Sequence, residues 1–184
     1  MEPDYMLTRT GIKLTEALKM ILEEQMNVEA DRIGMGIPGE QHNLLVCICL
    51  YDIRKNTGML SSDMITVSQE ELKYPSSYYD LYYMLVPCSD SDVKYQKEED
   101  TKLLDVMLQF LGDVHFLNPG REIGFELCDM DFDSKAKIWA GLNQPMRMAV
   151  YCKAGPVEIQ STRRKRVSRV TDIQMDFIQE KEGR

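Results

Sequence analysis

The chain has 184 residues, 43% of them hydrophobic, and carries a formal net charge of -8. That length suits one domain, or one domain with an arm, and can bury a core without disulfide or metal staples. The composition argues against global disorder, and the acidity argues against non-specific binding of nucleic acid or membrane by the body of the chain.

Residues 10–26 read as an amphipathic helix. Leu14, Leu18, Ile21 and Leu22 share one stripe, with Lys13, Glu16, Lys19, Glu23 and Glu24 mainly off it. Residues 34–39, GMGIPG, break regular structure. Residues 44–53, LLVCICLYDI, are apolar on both alternating faces, which predicts a central strand covered on two sides. Residues 54–58 then form a turn, and 58–77 read as a polar, irregular surface excursion. Residues 78–86, YYDLYYMLV, predict a second strand, closed by Pro87.

Residues 98–111 predict a second helix, with Leu104, Met107, Leu108 and Leu111 buried, Glu98, Glu99 and Asp100 at its positive start, and Gly112 as its stop. Short strands are expected at 114–117 and 123–128. A short helix follows at 134–142 with the single Trp139, capped by Asp133 or Ser134. Residues 146–153 predict a strand that 157–160 extends past Gly155-Pro156. Trp139, Tyr51, Tyr83 and Tyr151 are the expected core anchors. The expected fold is α+β: a mixed sheet of about four to five strands, with two long helices and one short helix packed on it.

The tail from 161 differs in character. Arg163, Arg164, Lys165, Arg166 and Arg169 place +5 in ten residues without an acid. The remainder therefore carries -13, the difference between -8 and +5. Downstream, Val167, Val170, Ile173, Met175 and Phe177 alternate weakly. The tail reads as a solvated arm, a nucleic-acid contact or a protein–protein contact. The missing interleaved aromatics and the acidic body weigh against nucleic acid. An acidic patch on a like subunit is one candidate partner. The expected organisation is a 1–160 domain and a basic C-terminal arm, 161–184, extended against another chain.

Nothing local predicts catalysis, a cofactor or a metal site. Cys47, Cys49, Cys88, Cys128 and Cys152 are scattered and odd in number, which fits free thiols. Cys47-x-Cys49 reads as two buried small hydrophobes, since no second pair completes a zinc site. Cys128 or Cys152 has no local base to activate it; His42 and His115 are the only histidines. Gly34-x-Gly36-x-x-Gly39 matches a dinucleotide fingerprint by letter, but lacks the strand before it and the helix after it. Asp129, Asp131 and Asp133 alternate like a calcium loop, yet Ser134 and Ala140 stand where Gly and Glu are required. The first residues lack a signal-peptide pattern, and no apolar run nears the roughly 20 residues that span a bilayer.

Residues 45–56 (LVCICLYDIRKN), 81–86 (LYYMLV), the helix at 99–111, and Lys137-Ile138-Trp139 through Pro145, Ala149-Val150-Tyr151 and Val157-Glu158-Ile159 form an ordered set. That set, across roughly residues 12–160, resembles the cap, or tail-terminator, family of phage-tail-like contractile injection systems, in the N-terminal domain of its sheath-terminator protein. The resemblance implies a non-enzymatic subunit. Six copies would form a ring that ends the inner tube and contractile sheath opposite the baseplate. Its partners would be its own copies, sheath subunits and inner-tube subunits, without nucleic acid, membrane or cofactor. Assembly would take place in the bacterial cytoplasm, and the subunit would then belong to the particle. A tube–sheath adaptor, a head–tail connector subunit and a small enzyme or nucleic-acid-binding module are the competing readings.

Overall fold

The structure is a computed structural model and describes residues 5–40, 43–59, 63–68, 70–90, 92–117 and 123–167. Three helices and eight strands follow one another in the described residues. They are α1 (Met6–Met26), β1 (Ile33–Met35), β2 (Val46–Lys55), β3 (Ile65–Ser68), β4 (Glu71–Lys73), β5 (Ser77–Pro87), α2 (Val93–Leu117), β6 (Gly124–Leu127), α3 (Phe132–Gly141), β7 (Val150–Ile159) and β8 (Arg164–Arg166). They sort into two compact units, Met1–Leu60 with Ser77–Ile159, and Ser61–Ser76 with Gln160–Arg184.

The larger unit is an α+β fold on a mixed five-stranded sheet of order β1-β2-β5-β7-β6. Only the β1–β2 pair is parallel. The long strands set the frame: β2 pairs with β5 from Val46 opposite Pro87 to Lys55 opposite Tyr79. β5 pairs with β7 from Leu85 opposite Val150 to Ser77 opposite Ile159. Alternation along a strand sends successive side chains to opposite faces. Here both faces are apolar, so both need cover.

One face presents Val46, Ile48, Leu81, Tyr83, Leu85, Cys152 and Ala154 to Leu14, Leu18 and Leu22 of α1 and to Leu103, Met107, Phe110 and Leu111 of α2. The other presents Cys47, Cys49, Met84, Val86 and Tyr151 to Trp139 and Ile138 of α3. Cover is uneven along the strands. β2 is buried from Val46 to Cys49 and exposed by Arg54, and β5 is correspondingly buried toward its C-terminal end.

Local chemistry sets the helix ends. Asn27 adopts the left-handed region (φ 54°) after α1; its N–H donates back to the Glu23 carbonyl and the Val28 N–H to the Leu22 carbonyl. Asp131 caps α3 by accepting from the Ser134 N–H at 2.8 Å. The cap thus lies ahead of Asp133 and Ser134, because the helix starts at Phe132. Gly124 and Gly155 face each other across β6 and β7. A Cβ on Gly155 would strike the Asp80 side chain and come within 3.3 Å of the Asp80 Cα. Glycine there lets three strands approach.

Several expectations need correction. Gly34 lies inside β1, because a three-residue edge strand pairs with β2 before the loop begins. α2 starts at Val93 and runs through Gly112 to Leu117. Glu98, Glu99 and Asp100 therefore sit beyond its first turn, and no strand forms at 114–117. Its buried stripe is rotated by about one position: Leu103, Val106, Phe110 and Val114 are buried with Met107 and Leu111, while Leu108 is exposed. Arg54 and Lys55 belong to β2 rather than to the turn. β7 begins only at Val150, leaving 146–149 as a loop, and it continues unbroken through the cis Gly155-Pro156 bond.

Trp139 is 1% exposed and its indole N–H donates to the Tyr151 hydroxyl at 3.0 Å. Trp139→Ala should cost about 3–5 kcal/mol of unfolding free energy in urea denaturation. Tyr83 is fully buried, and its hydroxyl has no hydrogen-bond partner among the described residues. Tyr83→Phe should therefore be neutral, or stabilising by about 1 kcal/mol, because it removes a desolvated group that gains nothing.

Candidate interaction surfaces

On the α3 face of the larger unit, aromatic and cationic side chains meet where helical cover ends. Tyr51 sits at a bulge in β2 between Leu50 and Asp52. Its ring lies edge-on to Tyr151 (6.0 Å, 81°) and tilted to Tyr82 (6.2 Å). Its hydroxyl donates to the Met130 Sδ at 3.4 Å. The Arg54 guanidinium lies 4.7 Å from the Tyr82 ring centre and also bonds Asp52 at 2.7 Å. Lys135 approaches the Tyr151 ring at 5.6 Å. Tyr51 is thus half-buried, whereas Trp139, Tyr83 and Tyr151 are buried. Tyr82 and Arg54 complete this surface. Sequence reading does not single them out, because the bulge that puts Asp52 opposite Tyr82, and so Arg54 on the Tyr82 face, leaves no mark in the alternation.

The smaller unit holds a three-stranded antiparallel sheet of order β3-β4-β8. The region expected to be irregular contributes β3 and β4, and the basic run forms β8. Glu71, Leu72 and Lys73 of β4 stand opposite Arg166, Lys165 and Arg164. The basic run therefore has a strand partner in its own chain. Arg164 pairs with Glu71 at 3.0 Å, Arg163 stacks 4.8 Å from the Tyr74 ring centre, and Lys73 bonds Gln160 at 2.7 Å. Arg163, Arg164, Lys165 and Arg166 are all exposed. Arg169 and the alternating residues from Val170 to Phe177 lie outside the described residues. Strands of three and four residues are too short for a period-2 signal, which is why the hairpin escaped the sequence.

The two edges of this small sheet differ in chemistry. β3, Ile-Thr-Val-Ser, is uncharged and exposed along its length, whereas β8 is wholly cationic. Charge on an edge strand discourages indiscriminate pairing.

The thiols sit in apolar surroundings. Cys47, Cys49 and Cys152 are buried, and Cys88 and Cys128 half-buried. Burial is the leading cause that pushes every one of them up, Cys47 from an ordinary 9.0 to about 12. Such thiols stay protonated near neutral pH and make poor nucleophiles. His42 lies outside the described residues. No group of three His, Cys, Asp or Glu side chains able to hold a metal occurs among the described residues. No described helix is long and apolar enough to cross a membrane.

What these surfaces offer is contact chemistry: sheet edges, tyrosines, paired charges and one cationic strand. They define a helix-covered mixed-sheet domain with a small accessory sheet. The chain belongs to the Pvc16 N-terminal domain family, whose model matches residues 13–172. Its fold is similar to the sheath/tube terminator of the extracellular contractile injection system PVC in the extended state. That likeness has a TM-score of 0.64 and 15% identity, covering 93% of this chain and 64% of the other. It is likewise similar to the tube terminating cap of the anti-feeding prophage (TM-score 0.61, 12% identity, covering 92% of this chain and 60% of the other). The chain therefore spans less than two thirds of the length of either structure. No curated protein matches it by sequence.

The raised thiol makes a pH-dependent prediction. A group whose folded pKa lies above its unfolded value loses its proton first in the unfolded chain. The associated stability is intact below about pH 9 and is lost as pH rises toward about 12. Urea midpoints should fall between neutral pH and about pH 10.5, with a shallower fall in Cys47→Ala, whose midpoint at neutral pH serves as its own reference.

Proposed function

We propose that this chain is a structural cap subunit of a contractile injection system. Copies of it close a ring, of six members on the family resemblance, that ends the inner tube and the contractile sheath at the end opposite the baseplate. The observation that carries the reading is the likeness of fold over 93% of the chain to a sheath/tube terminator, together with membership of the Pvc16 N-terminal domain family. The second likeness, to a tube terminating cap, points the same way.

The surfaces support a role in contact rather than in turnover. Tyrosine and arginine are the residue types enriched at protein interfaces, and Tyr51, Tyr82 and Arg54 place them on a partly uncovered sheet face. The thiols, which could have carried covalent chemistry, are held protonated by burial. Sheath and tube subunits are the partners this reading requires. Assembly in the bacterial cytoplasm followed by incorporation into the particle is its setting.

Particles assembled without this chain should show tubes and sheaths of irregular length in negative-stain images. Restoring the chain should restore one length. Uniform length in its absence would overturn the terminator role.

A further inference from the structure

We infer that the cationic edge strand β8 of one copy docks on the β6 edge, and on the acidic turn that follows it, of a second copy. This rests on the ring reading above and names the contact that closes the ring.

β8 pairs with β4 along one side only, and β6 is the end strand of the five-stranded sheet. Each therefore carries a row of backbone N–H and C=O groups with no strand on its outer side among the described residues. On β8, Arg164 already holds Glu71. Lys165 and Arg166 are exposed and make no ion pair among the described residues. Past β6, Asp129 and Asp133 are exposed acids that likewise make no ion pair among the described residues, and Asp131 is committed to capping α3. Two apolar side chains flank them, Leu127 at 57% exposure and Phe132 at 70%. An uncompensated positive edge and an uncompensated negative edge with apolar anchors thus occur in one chain.

Charge opposes pairing either surface with itself, because β8 against β8, or the acidic turn against the acidic turn, would set like charges together. The contact therefore joins unlike surfaces. Reciprocated about a two-fold axis it would stop at a dimer; repeated head to tail at a fixed rotation it is heterologous and closes into a ring or runs on as a filament, and the ring reading selects the second. Opposite charges would steer and register the contact, while Leu127 and Phe132 exclude water at its centre.

The test is sedimentation of the full chain and of two variants, each checked for native circular dichroism. Arg166 stands opposite Glu71. The first variant therefore reverses only Lys165 (Lys165→Glu) and neutralises Arg166 (Arg166→Gln), which spares the small sheet. The second carries Asp129→Lys and Asp133→Lys and keeps the Asp131 cap. The unsubstituted chain should self-associate, and more weakly as salt is raised. Each variant alone should associate at least about tenfold more weakly. An equimolar mixture should recover the larger species, because every contact in an alternating ring is then between unlike charges. A monomeric unsubstituted chain, full association of either variant alone, or no recovery on mixing would overturn the inference. So would β8-dependent binding of a DNA oligonucleotide with self-association unchanged. None of these results touches the terminator reading, which particle length decides separately.

Discussion

The antiparallel ladder β2–β5–β7 is the constraint from which the rest of the larger unit follows. Its backbone groups are satisfied strand to strand, so its burial costs little in lost hydrogen bonding. Its side chains are apolar on both faces over the well-covered stretch, so a helical layer on one side alone would leave the other wet. α1 and α2 cover one face and α3 the other, and the two apolar clusters are separated by the sheet itself. α3 is short, and its hold depends on one large side chain. Trp139 fills the second cluster and finds its only polar need in the Tyr151 hydroxyl on the strand beneath.

That arrangement divides labour along the strands. Where β2 begins and β5 ends, both faces are dry and the sheet is core. Toward Arg54, Tyr79 and Asp80 the cover thins, and tyrosines, arginine and ion pairs replace aliphatic residues. Lys153 pairs with Glu126 there and Asn56 with Asp80, so polar groups at the open end are mostly matched by neighbours. Exposed pairs of this kind contribute little stability. Their value lies in keeping a sheet end soluble while leaving flat aromatic surface within reach of a partner.

What the sequence disclosed follows the length of each signal. β2 and β5 were legible because ten or more residues of apolar and aromatic content leave few alternatives. The α1 stripe of Leu14, Leu18 and Leu22 was legible for the same reason. The sequence places α2 but leaves its face open by one position, because Leu103, Leu104, Leu108 and Leu111 offer two overlapping stripes and only tertiary packing selects one. β1, β3, β4 and β8 are strands of three or four residues. They are too short to show an alternation, and β8 pairs with β4 far back in the chain, which local pattern cannot encode. The core tyrosines are legible in their strands, yet the Arg54–Tyr82 contact rests on a bulge, a purely three-dimensional event.

The small sheet has a temporal consequence. Its β4 and β8 strands are joined by an ion pair between residues 93 positions apart, Glu71 and Arg164. A chain emerging from the ribosome in N-to-C order can pair β2 with β5 long before β8 exists, whereas β4 must wait for it. The strand that carries the positive charge is therefore put in place after the core strands of the larger unit have been made. A nascent chain lacks that cationic edge until β2, β5 and β7 have all been synthesised, and any contact made through it must come after them.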